Sequence, residues 1–216
     1  RAYTIPLSLT LPSHSSMLSG YDLEYHGVDW NGPYPERGFI RVPTIFNVAR
    51  AAGQRTVMVM GKEKFITLMQ PGSLDEVHEL AGEEEAITEQ AIFVARKGNF
   101  DLMFVHFPNP DLTGHLFGWM SPQYLERVSR IDEHFASLLA ALPPDSTVIV
   151  TADHGGSDFS HGSESEVDRH IPWIIAGPRI KQAFTFEREI LTTDTAATAL
   201  HLLGLTLPPD AQGRVV

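Results

Sequence analysis

Strand-like and helix-like segments alternate along most of the 216-residue chain, and this alternation constrains its fold more than any other feature. Short runs of β-branched and apolar residues predict strands at 56–60, 102–107, 147–151 and 171–176. Apolar residues at helical spacing predict helices at 43–52, 83–96, 121–142 and 194–203. Strands separated by helices favour a parallel arrangement. We therefore predict an α/β fold, a three-layer α/β/α sandwich with a mainly parallel central sheet.

The composition limits the size and the class of the protein. Because 43% of the residues are hydrophobic, the chain can bury one large core, and we predict a single domain over residues 1–216. No apolar run reaches the roughly 18 residues of a membrane-spanning helix, so no membrane span is predicted. Cysteine is absent, which excludes disulfides, thiolate metal sites and cysteine nucleophiles.

The net charge of -11 argues against nucleic acid as a partner, because an acidic chain repels phosphate backbones. We therefore predict no bulk nucleic acid binding. A single small phosphate ester remains compatible with this charge, since a bound metal ion would reverse the local sign. The sequence leaves the oligomeric state open.

A carboxylate and an imidazole follow the predicted strand at 102–107. Asp111 and His115 are close in sequence, and both can reach one metal ion if the intervening loop is compact. They lie beyond the carboxyl end of a strand, which is where parallel sheets bind ligands. We predict His161 as the third ligand, with His170 as its rival. Oxygen and nitrogen ligands without sulfur favour zinc, with manganese as the alternative.

A second candidate pair follows the predicted strand at 147–151. Asp153 and His154 are adjacent, and the turn that Gly155 and Gly156 permit brings both to a second ion. Two ions about 4 Å apart stabilise the entering and leaving oxygens of a displacement at phosphorus. Any one of these motifs alone is more commonly a helix cap or a hydrogen-bonded loop. Their recurrence at strand ends favours a metal-dependent hydrolase.

Three other histidines have plainer interpretations. We predict helical surface positions for His78 and His134. His106 lies within a predicted strand, where packing is a simpler role than metal binding. These residues are therefore not included among the candidate ligands.

The first part of the chain carries a family resemblance. Residues Thr10-Leu11-Pro12-Ser13-His14, followed by Met17-Leu18-Ser19-Gly20 and His26-Gly27-Val28, resemble the nucleophile segment of the alkaline phosphatase superfamily. The nearest branch is the type I phosphodiesterase and nucleotide pyrophosphatase group, with sulfatase-like hydrolases close by. The similarity continues in order through 43–46, 51–53, 61–62, 110–115, 152–155, 161–162, 171–172, 177–178, 194–196 and 202–204. It therefore covers nearly the whole chain.

The resemblance implies a role for each matching residue. Thr10 corresponds to the nucleophile, which attacks phosphorus and is transiently phosphorylated or nucleotidylated. The ion held by Asp153 and His154 would activate its hydroxyl, because a free threonine hydroxyl is a weak nucleophile at neutral pH. A second ion would stabilise the leaving oxygen, and the resemblance gives its ligands as Asp111, His115 and His161.

Two further positions correspond to residues that contact the substrate in relatives. Ser13 stands where nucleotide pyrophosphatases tend to place an asparagine that donates to a phosphoryl oxygen, so Ser13 is a candidate substrate-binding residue. Lys62 corresponds to a lysine that approaches a substrate anion in some sulfatase-like relatives. A surface lysine after a strand is the simpler interpretation of Lys62, and it is the one that we predict.

Threonine at position 10 separates the branches of the superfamily. Sulfatases need cysteine or serine there for conversion to formylglycine, and classical alkaline phosphatases use serine, whereas phosphodiesterases use threonine. The resemblance therefore implies a two-metal phosphodiesterase or nucleotide pyrophosphatase that acts through a covalent phospho-enzyme on a small phosphate-ester or nucleotide-like substrate. One alternative on the same site is a phosphomonoesterase or phosphonate hydrolase. An alternative of another class is a metal-binding module without turnover.

The sequence departs from the family pattern at one metal ligand. The second metal site of the family includes an aspartate after the first strand, a few tens of residues before the nucleophile, and residues 1–9 contain no aspartate. We therefore expect a fragment that lacks this strand and its metal-ligand aspartate. The alternative is a chain whose second metal site is incomplete. Family members are often exported, which favours an exported or periplasmic location.

Overall fold

The computed structural model describes residues 1–216, which form eight strands and eight α-helices. The strands are β1 (Ala2–Tyr3), β2 (Thr56–Met60), β3 (Glu76–Glu79), β4 (Leu102–Val105), β5 (Val148–Thr151), β6 (His170–Ile171), β7 (Trp173–Ala176) and β8 (Ile190–Leu191). The helices are α1 (Thr10–Ser19), α2 (Leu23–His26), α3 (Ile45–Ala51), α4 (Glu84–Lys97), α5 (Asn109–Phe117), α6 (Pro122–Leu139), α7 (Glu166–Arg169) and α8 (Asp194–Leu202). Two 3-10 helices cover Pro35–Arg37 and Glu63–Leu68.

The central sheet is parallel and has the order β3-β2-β4. All five residues of β2 are buried, as expected for a strand that is covered on both faces by helices. The main apolar core lies beside β2 and includes Leu11 of α1, Phe46 of α3, Leu200 of α8, and Phe65 of the second 3-10 helix. The predicted α/β fold, with a parallel sheet between helices, is therefore confirmed.

Two smaller sheets complete the architecture. In one, β1 pairs antiparallel with β6 and parallel with β8, and in the other β5 pairs antiparallel with β7. The one helix between β5 and β7 is the four-residue α7, whereas parallel strands are usually joined by a long crossover helix. Pro172 divides the strand predicted at 171–176 into β6 and β7, because proline has no backbone N–H for the sheet.

The strands β4 and β5 are both edge strands of their sheets. β4 hydrogen-bonds only to β2, and β5 hydrogen-bonds only to β7, so each strand has one edge without a partner strand. The helix α6 carries an apolar stripe, yet Leu125 and Val128 on this stripe remain exposed. Native proteins normally cover or blunt such edges, because an unpaired edge can pair with a further strand.

The helices predicted at 43–52, 83–96, 121–142 and 194–203 correspond to α3, α4, α6 and α8. Ser121 caps α6 by accepting a hydrogen bond from the Tyr124 backbone N–H, and Pro122 occupies the first turn. His134 lies on α6, as predicted. None of the helices combines the length and the apolar character that a membrane crossing requires.

Two local predictions were wrong. His78 lies on the strand β3 rather than on a helix, and its Nε2 atom is 2.7 Å from Glu76 Oε1 on the same strand. The segment from Asp111 to His115, predicted as a compact loop, is part of the helix α5. Pro110 is compatible with this helix because it occupies the first turn, where its missing N–H costs no hydrogen bond.

Candidate active site

The helix α5 and the loop before α7 bring together the three residues predicted to hold one ion. Asp111 and His115 are one turn apart on α5, so their side chains lie on the same face of the helix. Asp111 Oδ1 is 3.4 Å from His115 Nε2 and 3.2 Å from His161 Nε2. Ligand atoms of all three residues lie within 4.8 Å of one another, which is the spacing that a shared cation requires.

Three imidazoles at this site have the same orientation. Each places its Nδ1 atom against a backbone carbonyl: His115 on Phe159 at 2.9 Å, His154 on Gly155 at 2.8 Å, and His161 on Ser8 at 2.9 Å. A carbonyl oxygen only accepts hydrogen bonds, so each Nδ1 carries a proton, and Nε2 is the atom of each ring that is directed into the cluster. A backbone carbonyl that fixes the tautomer in this way is typical of metal-binding histidines.

Asp153 and His154, the second predicted pair of ligands, lie next to the first three. His154 Nε2 is 3.3 Å from Asp153 Oδ2 and 3.8 Å from Asp111 Oδ1. The His154 ring stacks on the ring of His161, with 3.6 Å between the centroids. The five residues predicted as metal ligands therefore form one continuous cluster at the carboxyl ends of β4 and β5.

The donor set fits a cation. Asp111 Oδ1 and His154 Nε2 are buried and have no hydrogen-bond partner. A buried carboxylate oxygen and a buried imidazole nitrogen without hydrogen-bond partners are unfavourable unless a bound cation satisfies them. Nitrogen and oxygen donors of this kind could hold zinc or manganese.

Both carboxylates of the cluster are ionised at neutral pH. Burial raises the pKa of Asp111, but the His161 imidazole and the Lys62 ammonium outweigh burial and hold that pKa well below its usual range. Burial likewise opposes ionisation of Asp153, while His154 and then His14 favour it and lower its pKa to about 2. Ligands that are already deprotonated bind a cation without releasing a proton.

Thr10 is the first residue of α1 and is 1% exposed. His14, one turn later, donates from Nδ1 to the Thr10 carbonyl at 2.8 Å, and the same nitrogen is 3.4 Å from Asp153 Oδ2. The His14 ring also packs against His106, which is half-buried directly after β4 and makes aromatic packing contacts, as predicted. This chain of contacts places the start of α1 beside Asp153.

Lys62 is not the surface residue that the sequence predicted. Its side chain is 13% exposed, and Nζ donates to Asp111 Oδ2 at 2.6 Å. It follows the buried strand β2, whose carboxyl end points toward the same edge of the sheet as β4. The prediction was wrong because the ion pair joins residues that are far apart in the sequence.

Two residues at the site were missed in the sequence. Asn31 Oδ1 accepts hydrogen bonds from the Leu11 backbone N–H and from Lys64 Nζ, both at 3.0 Å. Burial, together with the charge of Lys62, lowers the pKa of Lys64 to about 8. These two bonds assign the Oδ1 and Nδ2 ends of the Asn31 amide, and Nδ2 makes no hydrogen bond within the chain, so it can donate to a bound group. Neither residue belongs to a motif that could have identified it.

Two other candidates lie apart from the cluster. Ser13 is fully buried, and its Oγ atom accepts a hydrogen bond from Thr4 Oγ1 at 3.0 Å. Its contact with a phosphoryl oxygen stays a prediction. His170, the rival of His161, is exposed on β6 with its ring 5.5 Å from that of Tyr3, and it is not among the clustered ligands.

Known proteins of several activities are similar to this chain. The 2,3-bisphosphoglycerate-independent phosphoglycerate mutase of Gracilaria tenuistipitata var. liui is 27% identical over 151 residues, covering 66% of this chain and 29% of the mutase. The catalytic subunit of human GPI ethanolamine phosphate transferase 2 is 23% identical over 229 residues, covering 98% of this chain and 23% of the transferase. The chain thus spans less than a third of the length of these curated relatives.

The fold is also found in solved structures. One is murine ectonucleotide pyrophosphatase / phosphodiesterase 5 in an inactive threonine-to-alanine form, in complex with AMP. It superposes with a TM-score of 0.78 at 16% identity, covering 96% of this chain and 88% of the murine chain. At this identity the likeness concerns the fold alone.

The sequence profile of one family matches most of the chain. The match extends over residues 2–174, which include the candidate nucleophile and all five candidate metal ligands. The family resemblance inferred from the motifs is therefore confirmed. This chain belongs to the type I phosphodiesterase / nucleotide pyrophosphatase family.

Proposed function

We propose that this protein hydrolyses phosphoric esters as a two-metal phosphodiesterase of the nucleotide pyrophosphatase type. The observation that carries the proposal is the cluster at which three imidazoles, each with Nδ1 fixed by a carbonyl, present Nε2 beside Asp111 and Asp153. The proposed ions are zinc, with manganese as the alternative. The substrate is a small phosphate-ester or nucleotide-like compound, in keeping with the AMP held by the murine relative.

Thr10 is the proposed nucleophile. Its position at the start of α1, linked through His14 to Asp153, supports this role. The murine relative is likewise inactive when one of its threonines is replaced by alanine. The Thr10 hydroxyl loses its proton as its oxygen forms a bond to phosphorus, the bond from phosphorus to the leaving oxygen breaks, and the leaving oxygen takes up one proton to give the alcohol. Water then hydrolyses the phosphothreonine. When bound, the divalent ions supply Lewis-acid stabilisation of the attacking and leaving oxygens.

The other groups near Thr10 have proposed roles in holding the phosphoryl group. The free amide of Asn31 can donate to a phosphoryl oxygen, which is the role that the sequence suggested for Ser13. Asp111, His115 and His161 hold one ion in this proposal, and Asp153 with His154 hold the other. All of these residues belong to a single hydrolase domain over residues 1–216.

A further strand completes the proposed domain. The free edges of β4 and β5, whose carboxyl ends both lead to the metal ligands, support a strand inserted beside them. A carboxylate at the carboxyl end of that strand would lie next to Asp153 and His154, since parallel strands present their carboxyl ends at the same edge. We propose that this strand and its metal-ligand aspartate lie outside residues 1–216.

The test is hydrolysis of bis-p-nitrophenyl phosphate by the full-length protein. We expect turnover that EDTA abolishes and that added zinc or manganese restores, because each proposed chemical step depends on the ions. Elemental analysis of the purified protein should give up to two divalent ions for each chain. Bound metal with no turnover on any ester would contradict the proposal and leave a metal-binding module.

A second candidate function has a specific observation in its favour. The ammonium groups of Lys62 and Lys64 lie beside Asp111 and Asn31, close to the start of α1. Two cations in addition to the metal ions favour a substrate with more than one negative charge near phosphorus. This arrangement supports a phosphomonoesterase or phosphonate hydrolase as the alternative activity of the same site.

Replacing Lys64 with glutamine separates these two activities. If the substrate is a dianion, kcat/KM for p-nitrophenyl phosphate should fall about 10- to 100-fold, because a hydrogen bond to a charged group is worth roughly 1.5–3 kcal/mol. The rate on the diester should change much less. Lys97→Gln is a matched control, since Lys97 lies on the surface over the ring of Phe93. Equal losses on both esters would assign Lys64 to the common phosphoryl group and remove the support for the monoester activity.

A further inference from the structure

The indole of Trp119 occupies a space that two glycines leave open. A Cβ atom on Gly114 of α5 would lie 2.7 Å from the indole, and one on Gly156 would lie 2.2 Å from it. Neither glycine has the positive φ that favours glycine for conformational reasons. The absence of side chains at both positions therefore makes room for the indole, and Trp119 is fixed between α5 and the turn after His154.

The same indole contacts two of the proposed metal ligands. Its ring lies 5.1 Å from the His115 ring at 89° and 5.7 Å from the His161 ring at 64°, centroid to centroid. Both arrangements are edge-to-face, which is a favourable geometry for aromatic pairs. Trp119 is thus a common packing surface for an imidazole from α5 and an imidazole from the loop before α7.

The backbone around Trp119 is held firmly in place. The Trp119 N–H donates to the Asp158 carbonyl at 2.7 Å, next to the Phe159 carbonyl that orients His115. Met120 and Asp158 both have positive φ values, of 64° and 50°, which non-glycine residues seldom adopt. Such conformations persist only where the surrounding contacts enforce them.

We infer that Trp119 is a positioning residue for the metal centre, and this inference rests on the metal site of the proposed function. The side chain of His115 is 42% exposed, so without a packing surface its imidazole would sample several rotamers. The indole restricts the rings of His115 and His161 to orientations in which Nε2 faces Asp111. A centre that is ordered before the ion binds loses less conformational entropy on binding.

Cobalt titration of wild-type and variant chains tests this role. Cobalt(II) binds in place of zinc, and its visible absorption reports the number and geometry of the ligands. We expect Trp119→Ala to weaken cobalt affinity about tenfold and to alter the spectrum, in line with the 10- to 100-fold effect of groups that orient metal ligands. Trp119→Phe keeps an aromatic surface and should recover most of the affinity. Phe184→Ala removes an exposed aromatic outside the site and should change neither quantity.

A second variant tests the same contact from the opposite side. Gly156→Ala should weaken cobalt binding in the wild-type chain, because the added Cβ meets the indole. When Gly156→Ala is added to Trp119→Ala, its effect on cobalt affinity should be smaller, because the indole that the new Cβ would meet is absent. The difference between the two effects of Gly156→Ala measures the coupling between the two positions. Thermal unfolding of each metal-free variant identifies any that fail to fold.

The outcomes distinguish this inference from the function on which it rests. If the wild-type chain binds no cobalt, the proposed metal site is wrong. If the wild-type chain binds cobalt and Trp119→Ala has the same affinity and spectrum, the positioning role is overturned while the metal site stands. A fall in thermal stability without a change in cobalt affinity would assign Trp119 to packing alone and would also overturn the inference.

Discussion

Replacing Thr10 with valine should lower kcat for hydrolysis of a phosphodiester by at least about a thousandfold, because valine has no hydroxyl to attack phosphorus. Valine is nearly isosteric with threonine and keeps a branched side chain at a position that is 1% exposed. The loss of rate should therefore occur without loss of the fold. Steady-state rates of the full-length protein, with circular dichroism of the same samples, measure both quantities.

Thr10→Ser is the matched control for this prediction. Serine keeps the hydroxyl at the start of α1 and loses only a methyl group, so we expect it to retain activity within about tenfold of wild type. Rapid quenching followed by mass spectrometry should detect a phosphoryl or nucleotidyl adduct on the peptide that contains Thr10, and the adduct should be absent in Thr10→Val. Undiminished turnover in Thr10→Val would show that water attacks phosphorus directly and that no covalent intermediate forms.

The elements with strong local patterns were predictable from the sequence. The strand β2 is a continuous run of β-branched residues and methionines, and α6 has both a capping serine and a long apolar stripe. The antiparallel pairing of β5 with β7 was not predictable in the same way. Strand direction depends on the path of the connecting segment, and that segment has no pattern that fixes its path.

At the candidate site, too, residue types and spacing were predictable from the sequence, whereas contacts between residues distant in the sequence were not. The types and spacing of Asp111 and His115 suggested metal ligands, yet the helix between them was missed because Gly114 disfavours helices. Gly114 is compatible with α5 because the indole of Trp119 lies against it, and that contact depends on tertiary structure. Lys64 and Asn31 meet across a long stretch of sequence for a similar reason. A single sequence without periodic or spacing signals at these positions could not have indicated either contact.

The second large effect is expected on metal binding. Asp111→Asn should weaken the affinity for zinc by at least about 100-fold, because the change removes the only negative charge among Asp111, His115 and His161. The lost carboxylate is also the one that lies within 3.8 Å of the Nε2 atoms of all three clustered imidazoles. Isothermal titration calorimetry of the metal-free chain measures this directly. Asparagine has the shape of aspartate, and its amide can donate to an imidazole Nε2 atom, so the metal-free fold should persist.

Thermal unfolding with and without zinc gives an independent measure of the same loss. An ion that binds only the folded chain stabilises it by about 2.7 kcal/mol when its concentration is 100 times the dissociation constant. Zinc at that concentration should raise the melting temperature of the wild-type chain and leave that of Asp111→Asn nearly unchanged. Asp132→Asn removes the same charge from an exposed position on α6, and its response to zinc should match wild type. An equal zinc response in all three proteins would place the ion somewhere other than at Asp111. In that case a different explanation would be needed for Asp111 Oδ1, which has no hydrogen-bond partner, and for the shared orientation of the three imidazoles.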